Sequence, residues 1–364
     1  MNRRKFLAGT GIAAAGAAGT VATAFPTPAI SQGRKTLTMV TSWGRGLAGV
    51  HDAAQRCADS IVAMSDGMIE IDFKAAGELV GAFECFDAVS SGQADIYHAA
   101  DYYFVGQHPA FAFYTSVPFG MTAEELNNWY YHMGGRELQD DLTSIFNLKT
   151  FLAGNTGSQA GGWFHKEING PDDFEGLRFR MPGLGGKALG ELGASVQNIP
   201  GAEVYNALSK GEIDGTEWIG PWADEKAGFF EITKIYYTSG FHEPGPGLSL
   251  AVNREVFDGL SASEQKIIEC AAGEANVWNL SQFLANNSAA LQRLTASGVQ
   301  TFTFPDSVWD AFGVAADKVY AENMGDPLFK TIYDSYRDSL VKSASWNALS
   351  SGAYAEQRNR VMGI

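Results

Sequence analysis

The chain has 364 residues, 41 Asp and Glu against 26 Lys and Arg, a net charge of -15 and 45% hydrophobic content. That length exceeds the ~250–300 residues at which single hydrophobic cores stop growing, so two domains are expected. The apolar fraction excludes global disorder, and the acidic excess excludes a nucleic-acid binder, whose footprint is a basic stripe.

Residues 1–24 read as a signal peptide. Asn2-Arg3-Arg4-Lys5-Phe6-Leu7 is a basic start, Ala8 to Ala24 is a weakly apolar run, and Ala22-Thr23-Ala24 is a small-residue cleavage pattern. Arg3 and Arg4 before Phe6-Leu7 resemble the twin-arginine signal, which exports proteins already folded. A second cleavage point follows Ala29. No later stretch reaches the ~20 apolar residues of a membrane span, so a soluble, exported protein is expected. Cys57, Cys85 and Cys270 contain no CxxC pair, and buried free thiols suit them better than a disulfide framework.

In chain order, Lys35–Trp43 is rich in β-formers and reads as a strand, and His51–Met64 has helical spacing. Met68–Phe73 alternates like a strand, Phe83–Ser90 is a short helix, and Ala94–Ala99 is another strand. This βαβαβ order implies a parallel sheet wrapped by helices. Helices are expected over 122–133 and 136–146. From Lys149 the units shorten: strands at 149–152, 163–166, 177–181 and 196–199, with helices at 187–192 and 203–209. A strand at 248–252 leads back, and Ser261-Ala262-Ser263-Glu264 is a capping-box start for a helix running nearly to Ser297. A strand at 299–304 and further helices complete the chain. The domains read as 34–153 plus 254–325, 154–253 between two crossings, and C-terminal helices over 326–364. A cleft at the junction is a common place for a ligand.

Gly44-Arg45-Gly46-Leu47-Ala48-Gly49 fits GxGxxG between a strand and a helix, with Glu70 and Asp72 about 20 residues on, the formal dinucleotide fingerprint. Against it, Thr41-Ser42-Trp43 separates the apolar strand from the first glycine. Asp52 would also set a like charge beside a pyrophosphate at the helix start. A flexible loop at a cleft edge is the better reading. GxSxG, HExxH and Walker patterns are absent, and the six histidines read singly as surface or core residues.

The informative stretches are GNTGSQAGGWFHKEI (154–168), GLRFRMPGLGGKALGELGA (176–194) and AEVYNALSKGEIDGTEWIGPW (202–222). Their order resembles the extracytoplasmic solute receptors of tripartite ATP-independent periplasmic (TRAP) transporters, and the resemblance covers essentially the whole mature chain. The context of Gln159, Glu217-Trp218 and Gly220-Pro221-Trp222 is most similar to the branch that binds α-keto or 2-hydroxy acids with a metal cation. The resemblance implies an α/β, two-domain periplasmic solute-binding fold with a hinge, a cleft between domains and long C-terminal helices. It also implies a periplasmic receptor without catalysis, partnered by membrane permease subunits. Some relatives form a swapped dimer through a C-terminal helix, so a homodimer is an open expectation here.

The residues fit that assignment. Arg178 and Arg180 share a strand face, and a guanidinium clamps a carboxylate through two parallel charge-assisted hydrogen bonds. The resemblance selects Arg180 as the clamp and leaves Arg178 at the surface. Glu217 follows what reads as a tight Asp214-Gly215 turn, and Glu243 precedes the rigid Pro244-Gly245-Pro246-Gly247 segment. Two glutamates and a bound carboxylate outweigh one arginine, and unpaired charge in a desolvated cleft is costly. A cation removes the conflict, and oxygen ligands point to a hard ion, Na+ or Ca2+, rather than zinc. The resemblance places the cation on Gln159, Glu217, Trp218 and Glu243. Trp43, Tyr102, Tyr103, Phe104, Trp163, Trp218 and Trp222 lie beside loops at the presumed strand ends, and of these Tyr103 and Trp43 are read as pocket walls. Pyruvate-like 2-oxo acids lead. A lactate-like 2-hydroxy acid, a receptor feeding a sensor kinase, and an exported nicotinamide-dependent oxidoreductase remain alternatives.

Overall fold

The computed structural model describes residues 33–364, and the expected signal segment, ending at 24 or 29, lies outside the described residues. The strands are β1 (Lys35–Thr41), β2 (Ile69–Lys74), β3 (Ile96–Ala99), β4 (Leu148–Asn155), β5 (Gly162–Phe164) and β6 (Arg178–Arg180). They continue as β7 (Ser195–Gln197), β8 (Gly215–Thr216), β9 (Ile235–Tyr237), β10 (Gly247–Asn253) and β11 (Gln300–Phe302). Two mixed sheets result, ordered β2-β1-β3-β10-β4 and β11-β9-β5-β8-β6-β7.

In the first sheet β1 lies parallel to β2 and β3, as the βαβαβ pattern requires. The returning strand β10 inserts antiparallel between β3 and β4. Every residue of β10 is buried, which explains its near-continuous apolar sequence. The second sheet is stitched from strands of two to three residues, with β6 parallel to β7 and β8, and β5 antiparallel to β8 and β9.

The chain passes between the sheets more often than the two crossings expected. It leaves β4 through 156–161 and returns through 238–246. It then leaves again along the helix Ala262–Ala296 to β11, which pairs with β9 in the second sheet. The helix Asp306–Asn323 packs on Gly183–Glu191 of the second lobe, and Pro327–Asn347 packs back on Ala123–His132 of the first. The range 254–325 therefore does not belong to the first sheet alone. Aromatic packing holds β11 there: Phe302 and Phe304 stack on Tyr237 at 5.5 and 4.2 Å between ring centroids.

The long helix starts as its capping box predicts: Ser261 Oγ accepts from Glu264 N, and Glu264 Oε2 accepts from Ser261 N. It spans both lobes. Asn279 donates to the Gly49 carbonyl and accepts from Asn155 N on the first, while Arg293 pairs with Glu225 on the second. The glycine-rich loop exists to receive this helix. Gly49 has φ +79°, and a Cβ there would lie 2.2 Å from Phe283. The Asp52 carboxylate accepts from Gly49 N and Gln282 Nε2, so an anion already occupies the helix start that a pyrophosphate would need. Among the described residues no helix is long and apolar enough to cross a membrane. Cys57 and Cys85 are buried free thiols, whereas Cys270 is an exposed one.

Candidate functional site

Arg180 ends β6, and β6 runs beside β8 with Arg180 opposite Thr216, so Glu217 emerges next to the arginine. Gly215 is a strand residue rather than the turn expected from Asp214-Gly215. A Cβ there would stand 2.8 Å from both Phe179 and the Trp163 carbonyl, so glycine lets β5, β8 and β6 close together. Asp214 instead accepts from the Arg178 backbone N at 3.0 Å and from its guanidinium, which fixes Arg178 at the surface.

Arg180 is fully buried. Its Nη1 pairs with Glu217 Oε1, its Nε donates to the Ile199 carbonyl at 3.2 Å, and its Cζ lies 5.3 Å over the Trp218 ring. Its Nη2 and the Glu217 Oε2 have no hydrogen-bond partner among the described residues. Burial works against the charged guanidinium, yet Glu217, the two tyrosines and Glu243 outweigh it and hold its pKa above the ordinary arginine value. The Trp218 ring abuts Gly201, where a Cβ would lie 2.1 Å from Cη2.

The other two candidate ligands sit on the two crossing segments, which are hydrogen-bonded to each other. Thr156 N donates to the Pro246 carbonyl, Gln159 N to the Glu243 carbonyl at 3.0 Å, and Gly240 N to the Gln159 carbonyl. Gln159 Nε2 donates to Thr156 Oγ1, which leaves its Oε1 buried and unpartnered. Tyr102 donates to Glu243 Oε2 at 3.5 Å. Burial first, then the charge of Glu217, pushes the Glu243 carboxyl well above the usual range.

A small cavity is lined by Trp43, Tyr102, Tyr103, Thr156, Gln159 and Trp218 among others, and so reaches the site through Gln159 and Trp218. Trp43 is locked by donating from Nε1 to His98 Nδ1 at 2.8 Å, and its ring meets Tyr103 at 6.1 Å between centroids. Burial lowers His98 to about 4, which keeps it a neutral acceptor.

All seven residues singled out in the sequence thus converge: Arg180, Glu217 and Trp218 from the second sheet, Gln159 and Glu243 from the crossings, and Trp43 and Tyr103 from the first lobe. Sequence reasoning missed two neighbours and did not single out a third. Tyr102 was one aromatic among many. Asp224, which accepts from Ile219 N, Gly220 N and Trp163 Nε1 and so pins the segment after Trp218, carried no motif. His242 read as a lone histidine, yet its Nε2 is 3.6 Å from Glu217 Oε2. Only its place beside Glu243 in the chain could have drawn notice.

Two α/β lobes joined by several passes of the chain, with a buried arginine and two buried glutamates where the second sheet meets the crossing segments, define the class of two-lobed solute receptors. The chain belongs to the DctP family, bacterial extracellular solute-binding protein family 7, whose pattern it matches over residues 45–326. It is 37% identical to a monocarboxylate 2-oxoacid-binding periplasmic protein of Nostoc sp. over 97% of this chain and 98% of that one. A TRAP periplasmic solute binding protein from Pseudoalteromonas atlantica, solved with bound sodium and pyruvate, superposes with TM-score 0.86 at 37% identity, covering 89% of this chain and 99% of that one. Another from Colwellia psychrerythraea, with bound calcium and pyruvate, gives TM-score 0.86 at 36% identity with the same coverage. The protein is a periplasmic solute receptor of the TRAP type.

Proposed function

We propose that this receptor binds a small 2-oxo monocarboxylate of the pyruvate kind together with Na+ or Ca2+. The observation that carries the reading is the set of buried polar atoms without partners, Arg180 Nη2, Glu217 Oε2 and Gln159 Oε1, beside a small cavity. A carboxylate would satisfy Arg180, and a cation would satisfy the two oxygens. Gln159, Glu217, the Trp218 carbonyl and Glu243 would hold the cation, and this oxygen-rich set fits a hard ion. The cation supplies charge balance and a second point of attachment for a 2-oxo or 2-hydroxy oxygen, and Trp43 and Tyr103 bound the apolar end. The Nostoc relative and both pyruvate-bound structures support the same ligand class.

The lobes close about segments 156–161 and 238–246, and the closed form delivers its ligand to membrane permease subunits without catalysis. Export follows the twin-arginine route. The C-terminal helices support a homodimer, because Trp346, Leu349, Tyr354, Val361 and Met362 are all more than half exposed.

Calorimetry of chelator-treated protein with pyruvate or 2-oxobutanoate, with and without Na+ or Ca2+, tests the central claim. Cation-dependent binding of one acid per chain is expected. No binding of any such acid overturns it, and tighter binding of lactate transfers the assignment to 2-hydroxy acids.

A further inference from the structure

His242 is not explained by the reading above. It is 2% exposed, and neither ring nitrogen has a hydrogen-bond partner among the described residues. A buried imidazole left without partners is costly unless something else satisfies it. The ring is also confined from behind. A Cβ on Gly185 would lie 3.0 Å from His242 Cβ, and one on Gly240 would lie 2.6 Å from its Cε1. Its Nε2 lies 3.6 Å from Glu217 Oε2.

Glu217, His242 and Glu243 each offer a donor atom, and the three atoms lie within 4.8 Å of one another. Donors that share one ion at ~2.0–2.4 Å fall within such a distance. A nitrogen among the oxygens changes what the site prefers. Imidazole with carboxylates suits borderline divalent ions such as Zn2+, which take three protein ligands and keep an open position. Na+ and Ca2+ gain little from a nitrogen donor.

We propose that Glu217, His242 and Glu243 form a mixed nitrogen–oxygen site for a borderline divalent transition-metal ion, with His242 as the residue that admits it. The proposal takes only its location from the proposed cation site. The ion competes there with Na+ or Ca2+.

The test uses the untagged mature chain, stripped with chelator, and ZnCl2 as the probe. Calorimetry should give one equivalent of Zn2+, and X-ray absorption at the zinc edge should show imidazole scattering. His242→Gln should weaken Zn2+ by roughly 100-fold or more, since even outer partners of a metal cost about 10–100-fold. The same variant should lose much less affinity for Ca2+ than for Zn2+, because the oxygen ligands remain. An unchanged denaturant midpoint shows that the variant is folded. His242→Gln with unchanged Zn2+ affinity, zinc bound without imidazole scattering, or no stoichiometric Zn2+ in the parent each overturns the proposal. If pyruvate fails to bind while zinc binds through imidazole, the ligand assignment falls and this site stands. Cation-dependent pyruvate binding without zinc ligation gives the reverse.

Discussion

Arg180 and Glu217 form a buried ion pair in which each partner uses one terminal atom and leaves the other, Nη2 and Oε2, unsatisfied. Both side chains are withdrawn from water, so their mutual attraction offsets desolvation rather than adding a large surplus. Arg180→Ala strands a buried carboxylate and should destabilise the fold by about 3–5 kcal/mol. The double variant Arg180→Met with Glu217→Gln should recover most of that loss, and neither variant should bind pyruvate. Denaturant unfolding checks the first part and calorimetry the second. A double variant as unstable as the single one would show that the stranded charge is not the cause.

Trp218 lies under Arg180 and against Gly201, so its ring position depends on a missing side chain. Gly201→Ala would put a methyl 2.1 Å from the ring edge and push the indole out of place. Overpacking of this kind costs about 1–3 kcal/mol. Here part of the cost should appear as weaker acid binding, because the displaced ring no longer supports the guanidinium. Gly190→Ala, where nothing lies within 4 Å, is the matched control and should leave binding unchanged. Equal affinities for the two variants would dissociate Trp218 placement from ligand binding.

The reach of the sequence has a physical boundary. Helices with capping signals and apolar stripes were legible, as were β1 to β4 and β10, because their periodicity is local. The two-residue β8 and three-residue β9 were not, since strands so short exist only through their neighbours. Gly215 looked like a turn because Asp-Gly favours one, but packing against Phe179 and Trp163 decided otherwise. For β11 the strand was legible and the partner was not: Tyr237 lies 65 residues upstream of Phe302 and chooses the sheet. At the site, Arg180, Glu217 and Glu243 were found through a family resemblance. His242 escaped because a lone histidine says nothing until its nitrogens are seen without partners.

The glycine-rich loop makes a separate prediction about nucleotides. Gly49 combines φ +79° with a contact to Phe283 that no Cβ could share. Gly49→Ala should cost about 1–3 kcal/mol through strain and overpacking, read as a lowered denaturation midpoint. The intact protein should carry no nicotinamide absorbance and should give no heat with NAD. Bound NAD in a denatured extract would reverse that conclusion and revive the oxidoreductase alternative.

Asp101 couples the first lobe to pH. It is fully buried, accepts from Ser249 Oγ at 2.7 Å and Tyr97 Oη at 3.2 Å, and burial raises its pKa from 3.8 to about 7. An acid with a raised folded-state pKa binds more protons folded than unfolded in the interval between the two values. Its stabilising contribution is therefore complete below pH 3.8 and is lost as pH rises through about 7. The ceiling on that loss is ~4 kcal/mol, because each tenfold change in proton affinity is worth about 1.4 kcal/mol. Asp101→Asn keeps the shape and cannot ionise, and its amide can still bond both hydroxyls. The stability difference, wild type minus variant, should fall steadily across this interval and flatten above it, measured by urea unfolding at a series of pH values. A difference independent of pH would mean that Asp101 ionises with an ordinary carboxylate pKa despite its burial.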